Sequence, residues 1–101
     1  MLVNMSMIPL KGIGSFSAEV AKVIEIIDAS GLTYKMHPMG TVIEGSWDDV
    51  MGLIKKCHAK LRETSPRVLT TVTIDDREGA EGRIDGKVAS VEAKLGKKVK
   101  K

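Results

Sequence analysis

The 101-residue chain predicts an α+β domain of the ferredoxin-like kind: a β-α-β-β-α-β unit with an antiparallel four-stranded sheet and an extra C-terminal helix. Three observations lead there. Two apolar stripes recur at helical spacing, four segments alternate at strand spacing, and their order leaves a single hairpin between the two long helices. A chain of this length fits one domain that buries about two-thirds of its unfolded surface.

Residues 2–9, LVNMSMIP, set Val3, Met5 and Met7 on one face against Asn4, Ser6 and Ile8 on the other, a half-buried strand with an unusually polar second face. After the loop KGIGS, Ser17 is placed to cap a helix in which Val20, Val23, Ile24 and Ile27 recur at i, i+3, i+4 and i+7, ending at Gly31 in a left-handed conformation. Residues 32–37 and 41–45 flank His37-Pro38-Met39-Gly40, where proline presets a turn and glycine is expected to take the positive φ that closes a hairpin. Ser46, with Asp49 three residues on, opens a second helix whose stripe is Val50, Ile54, Cys57 and Leu61. Pro66 precedes RVLTTVTIDDR, residues 67–77, a β-branched strand with Val68, Thr70, Val72 and Ile74 opposite Leu69, Thr71, Thr73 and Asp75. EGAEGRIDG reads as a loop, and Val88, Val91 and Leu95 mark a short third helix stopped by Gly96.

Right-handed crossovers put both long helices on one face of a sheet ordered 4-1-3-2. The opposite face is then bare, with Asn4, Ser6, Ile8, Leu69, Thr71 and Thr73 on it. A face of mixed apolar and hydroxyl groups calls for a partner, either another sheet or a ligand.

The net charge is +3, but Lys97, Lys98, Lys100 and Lys101 account for four of the sixteen basic residues; without them twelve face thirteen acidic ones, a charge of −1. The domain is therefore residues 1–96, and residues 97–101 form a lysine-rich tail expected to be frayed and solvated. One Phe, one Trp and one Tyr supply few stacking platforms for bases, so no nucleic-acid partner is expected. The single Cys57 rules out an intrachain disulfide. No apolar run reaches the roughly 20 residues of a membrane span, and the start of the chain does not read as a signal peptide, so a cytoplasmic location is expected.

Chemistry-bearing residues are few. Cys57 and His58 diverge by about 100° on a helix and make no metal site. No nucleophile has a base within reach and Asp75 and Asp76 would point to opposite faces, so catalysis, cofactors and metals are not expected. KGIGS is at most a faint anion cradle at a helix start. Glu44 interrupts an apolar strand. It reads either as a solvated strand end or as a carboxylate near Ser6 and Asn4 that accepts from a ligand's amino group, with Thr41, Met36 and Met39 as a polarizable wall. His37 reads as a turn residue or a binding residue.

The segments MHPMGTVIEG (36–45), RVLTTVTIDDR (67–77) and DGKVASVE (85–92) resemble the single-domain thiamine-binding protein family, once catalogued as uncharacterised, and the likeness runs from the first strand to the third helix. The resemblance implies a protomer that pairs sheets into dimers and tetramers and binds thiamine or its hydroxymethylpyrimidine part without an established reaction. Two-domain relatives are linked to uptake or salvage of that pyrimidine. Matching positions are Met36, His37, Met39, Gly40, Thr41 and Glu44, then Thr71, Thr73, Asp75, Asp76 and Arg77. The departures are a looser EGAEGRIDG and the lysine-rich tail.

Together these readings define the expected ligand set: Asn4, Ser6, Met36, His37, Met39, Thr41, Glu44, Thr71 and Thr73. Asp75, Asp76 and Arg77 are expected to serve oligomer contacts or ion pairs. The alternative is a structural or regulatory oligomer whose open sheet face makes protein contacts and binds only incidental anions.

Overall fold

The computed structural model describes residues 1–10, 12 and 15–101. The order is β1 (Leu2–Pro9), α1 (Ser17–Ala29), β2 (Thr33–His37), β3 (Gly40–Glu44), α2 (Trp47–Arg62), β4 (Val68–Asp75) and α3 (Arg83–Leu95). The four strands form one antiparallel sheet in the order β2-β3-β1-β4, the ferredoxin-like arrangement that the alternation and crossover rules predict. The anion-cradle reading of KGIGS depends on residues 11, 13 and 14, which lie outside the described residues.

The core lies between the sheet and α1 with α2. Val3, Met5 and Ile43 from the sheet meet Val23 and Ile27 of α1 and Val50, Leu53, Ile54, Cys57 and Leu61 of α2. Both helical stripes therefore do what their 3.6-residue period requires. Cys57 is fully enclosed, and burial pushes its thiol pKa up to about 11. His58, one residue on, uses Nδ1 to contact the Thr70 hydroxyl at 2.9 Å and ties α2 to β4.

Several boundaries differ from the local expectation, each for a physical reason. Ser46 caps α2 by accepting the Asp49 N–H, as its position predicts. Ser17 is instead the first helical residue of α1, because the hydroxyl of Ser15 accepts its N–H at 3.2 Å. The lysine-rich tail is not free either. Val99 N–H and Lys101 Nζ both donate to the Glu92 carboxylate of α3, whose pKa is lowered chiefly by Lys101.

At the hairpin, His37 pairs with Gly40 across the two-residue turn Pro38-Met39. Gly40 does not take the positive φ expected of it. Its requirement is steric: a Cβ there would stand 2.7 Å from the Met5 carbonyl oxygen of β1. Backbone cannot rotate away as a flexible side chain can, so only glycine lets β3 begin this close to β1.

The largest revision concerns α3. The segment EGAEGRIDG is a loop only in its first half, and the helix begins at Arg83 without any side-chain cap of its own. Register puts Glu44, Lys35 and Asp75 on the face opposite the buried Val3 and Ile43. There Lys35 pairs with Asp85, and Asp75 with Lys87. One end of the sheet face expected to be bare is thus crossed by the start of α3. Beyond Ile84 the helix buries no residue, leaving Val91 51% and Leu95 55% exposed.

Gly40→Ala is expected to destabilise the fold by about 1–3 kcal/mol, because the added methyl forces β3 away from β1. Chemical denaturation of the two proteins checks this; an unchanged midpoint would show that the hairpin can shift at no cost.

Candidate functional site

Alternation along β1 and β3 sorts the expected ligand residues onto two surfaces. Asn4, Ser6, Glu44, Thr71 and Thr73 face away from α1 and α2, whereas Thr41 and Met36 face toward them. Thr41 and Glu44 are three residues apart in one strand, so the two cannot share a surface. Register also seats Glu44 opposite Leu2, at the end of the sheet remote from Ser6.

Glu44 already has partners. Its Oε2 accepts the Arg83 N–H at 2.8 Å and its Oε1 accepts the Ile84 N–H at 3.2 Å. The first amides of a helix lack partners within the helix, and a carboxylate beside them also complements the helix dipole. A side chain from a strand thus performs the capping that the local sequence of α3 lacks. Beside it, Lys87 holds the Asp75 carboxyl below the usual carboxylate range by a hydrogen bond and its charge, with Arg77 and Arg83 adding to the effect. Asp76 and Arg77 are exposed just past the end of β4.

A cleft of about 280 Å³ opens at the other end of the sheet. Its walls are the second half of β1, the tip of the β2–β3 hairpin and the inner side of α1. Ser6, Met36, His37, Met39 and Thr41 line it, so five of the nine expected ligand residues converge there; Glu44, Thr71 and Thr73 do not. Asn4 reaches the cleft wall through His37. The His37 Nδ1 accepts the Met39 N–H at 3.3 Å, which leaves its proton on Nε2, and Nε2–H donates to Asn4 Oδ1 at 3.0 Å. These two bonds hold the hairpin tip against the sheet.

Thr41 stands apart from the other lining residues. The residue is only 5% exposed, but its hydroxyl, which no described residue bonds, still reaches the cleft, because no side-chain oxygen or nitrogen among the described residues is both buried and unpartnered. Met36 and Met39, 57% and 82% exposed, form the outer wall. Among the described residues that line the cleft, none is an Asp, Glu, Lys or Arg. Such a site offers hydroxyl groups, thioethers and one imidazole to a flat, neutral ligand.

The inner wall also includes Met5, Met7, Val20, Ile24 and Leu61, which sequence reasoning assigned to the core or left out. Their only signal was membership of an apolar stripe, and that stripe also covers residues packed against protein. The Cys57 and His58 side chains diverge into the core and onto Thr70, and no group of three or more His, Cys, Asp or Glu gathers at one place among the described residues. Nor is any helix among them long and apolar enough to cross a membrane.

A ferredoxin-like domain whose described cleft lining carries no formal charge has room for a small ligand at the hairpin end of its sheet. The family profile described as thiamine-binding protein matches residues 3–92, and the chain belongs to that family. A UPF0045 protein of Synechocystis is 34% identical over 96 residues, which is 93% of this chain and 78% of that protein. One from Methanocaldococcus jannaschii is 32% identical over 88 residues, covering 87% of this chain and 88% of that one. A crystal structure of a Methanocaldococcus protein superposes with a TM-score of 0.83 at 31% identity, over 89% of this chain and 93% of the other. A Thermotoga maritima protein provisionally assigned to thiamine biosynthesis or salvage gives a TM-score of 0.79 at 24% identity over 89% and 96% of the two chains, a likeness of fold.

Glu44→Ala is expected to free the amides of Arg83 and Ile84 and to cost about 0.5–2 kcal/mol, the range of a lost helix cap. Amide exchange should speed up over residues 83–86 and stay unchanged in α2. Uniform loss of protection across the whole chain would refute a local capping role.

Proposed function

We propose that this chain is a cytoplasmic, oligomeric binding protein for thiamine or its hydroxymethylpyrimidine part, that the pyrimidine occupies the cleft at the hairpin tip, and that no reaction is catalysed there. Thr41 carries the reading. Its hydroxyl has no protein partner among the described residues and opens into the cleft, so it is free to hydrogen-bond a polar group on the ligand. The cleft reaches around the end of β3, so Ser6 and His37, the latter held by Asn4, line it from the other face of the sheet.

Size and charge favour the pyrimidine half. The cleft volume sits near the lower limit of about 300 Å³ for small-molecule sites, enough for one substituted ring. A thiazolium cation moved inside would lose its hydration with no carboxylate to offset the loss. It is better placed at the mouth, where Met36 and Met39 offer thioethers to an aromatic ring, contacts worth about 0.3–1.5 kcal/mol each. Glu44, Thr71 and Thr73 are not part of this proposed site.

The reading of the chain as a structural oligomer keeps one specific observation in its favour: Val91 and Leu95 on α3, and Ile8 and Leu69 on the sheet, are large apolar side chains left exposed. A second copy of the chain covering these side chains accounts for their exposure, with Asp76 and Arg77 at the rim. Binding and assembly are compatible.

Calorimetric titration should give heat with both thiamine and hydroxymethylpyrimidine, and Thr41→Val should weaken both by about tenfold, equivalent to about 1.4 kcal/mol. Glu44→Gln should leave affinity unchanged. Absence of heat with either ligand, or dependence on Glu44 rather than Thr41, refutes the assigned cleft. Light scattering of a Val91→Glu, Leu95→Glu double variant should give the mass of a single chain if α3 carries the assembly; a wild-type mass excludes α3 from the interface.

A further inference from the structure

β4 follows β1 along its whole length, from Leu2↔Asp75 to Pro9↔Val68, but β3 pairs with it only from Leu2↔Glu44 to Met5↔Thr41. Successive residues of a strand turn their N–H and C=O groups to alternate sides. Met1 accepts the Gly45 N–H on the β3 side, and Leu10 donates to Arg67 on the β4 side, so the odd-numbered residues of β1 face β3. Val3 and Met5 meet β3 there. Met7 is next, and the same register would pair it with Met39. Met39 has already turned away, and its N–H donates to His37 instead. By this register the main-chain N–H and C=O of Met7 point to the β3 side, where among the described residues no strand pairs with it and no loop bonds it, and Met7 lines the cleft.

Both groups lie on the same side of one residue, a donor next to an acceptor. A 4-aminopyrimidine has the complementary edge, a ring nitrogen that accepts next to an exocyclic amine that donates. We infer that the main chain of Met7 reads this amidine edge, N–H donating to the ring nitrogen and C=O accepting from the amine. The inference rests on the proposed placement of a pyrimidine in the cleft. A peptide strand would be the other natural user of an open strand edge, but this edge is one residue deep. β3 occupies the positions up to Met5, and Pro9 has no N–H to offer. Recognition through main-chain atoms also accounts for a cleft whose side chains are mostly apolar.

The test is amide exchange by nuclear magnetic resonance on the isotope-labelled full chain. In the free protein the Met7 amide should exchange at least about tenfold faster than that of Met5. Saturating hydroxymethylpyrimidine should slow it by about tenfold or more, and the analogue lacking the 4-amino group should bind at least about tenfold more weakly. Equal protection of Met5 and Met7 in the free protein overturns the inference. So does a pyrimidine that binds by calorimetry and leaves Met7 exchange unchanged, an outcome that spares the proposed function. If no pyrimidine binds, the proposed function fails, and millimolar 2-aminopyridine, which carries the same edge alone, decides the matter: slower Met7 exchange supports the inference and unchanged exchange overturns it.

Discussion

The approach of Gly40 to the Met5 carbonyl is the constraint on which the rest of this molecule depends. It seats the first residue of β3 against the middle of β1 and not against its end, so four residues of β1, Ser6 to Pro9, extend past its pairing with β3. Once that offset is set, the alternation of strand side chains leaves no further freedom. Thr41 must face the helices, Glu44 must face the other way at the far end, and the space that a longer β3 would have filled becomes the cleft.

Glu44 shows how a polar residue in an apolar strand can serve a structural end that no local window reveals. The third helix begins after a loop rich in glycine, with Gly82 in the left-handed conformation, and has no serine, threonine or aspartate positioned to cap it. Its first amides are satisfied from a strand 39 residues earlier in the chain. Together with the Lys35–Asp85 and Lys87–Asp75 pairs, this contact binds α3 across the sheet. Exposed ion pairs contribute little on their own, so the cap is the stronger of these restraints.

Charge is distributed unevenly between the two ends of the sheet. The α3 end carries Arg77, Arg83 and Lys87 facing Asp75 and Glu44, whereas the described lining of the cleft is free of formal charge. An uncharged cleft selects by shape and hydrogen bonding, and it excludes ions because nothing repays the loss of their hydration. The family match to thiamine-binding proteins and an uncharged cleft are both compatible with the ligand proposed above.

Much of the fold was legible in the residues alone. The two helical stripes, the four alternating segments, the proline turn at 38 and the Ser46 cap are local patterns, and local patterns survive any tertiary arrangement that buries them. The site was legible only in part. Every residue of MHPMGT lines the cleft, but the carboxylate that looked most chemical caps a helix, and nothing local marked Thr41 as the hydroxyl that opens into the cleft. The sequence by itself determined which side chains alternate and which faces are apolar, because those depend on backbone periods of 2.0 and 3.6 residues. Tertiary structure alone decided where β3 stops along β1, who caps α3 and where a cleft remains. Those outcomes depend on contacts between residues far apart in the chain, such as Gly40 against the Met5 carbonyl and Glu44 against the first amides of α3.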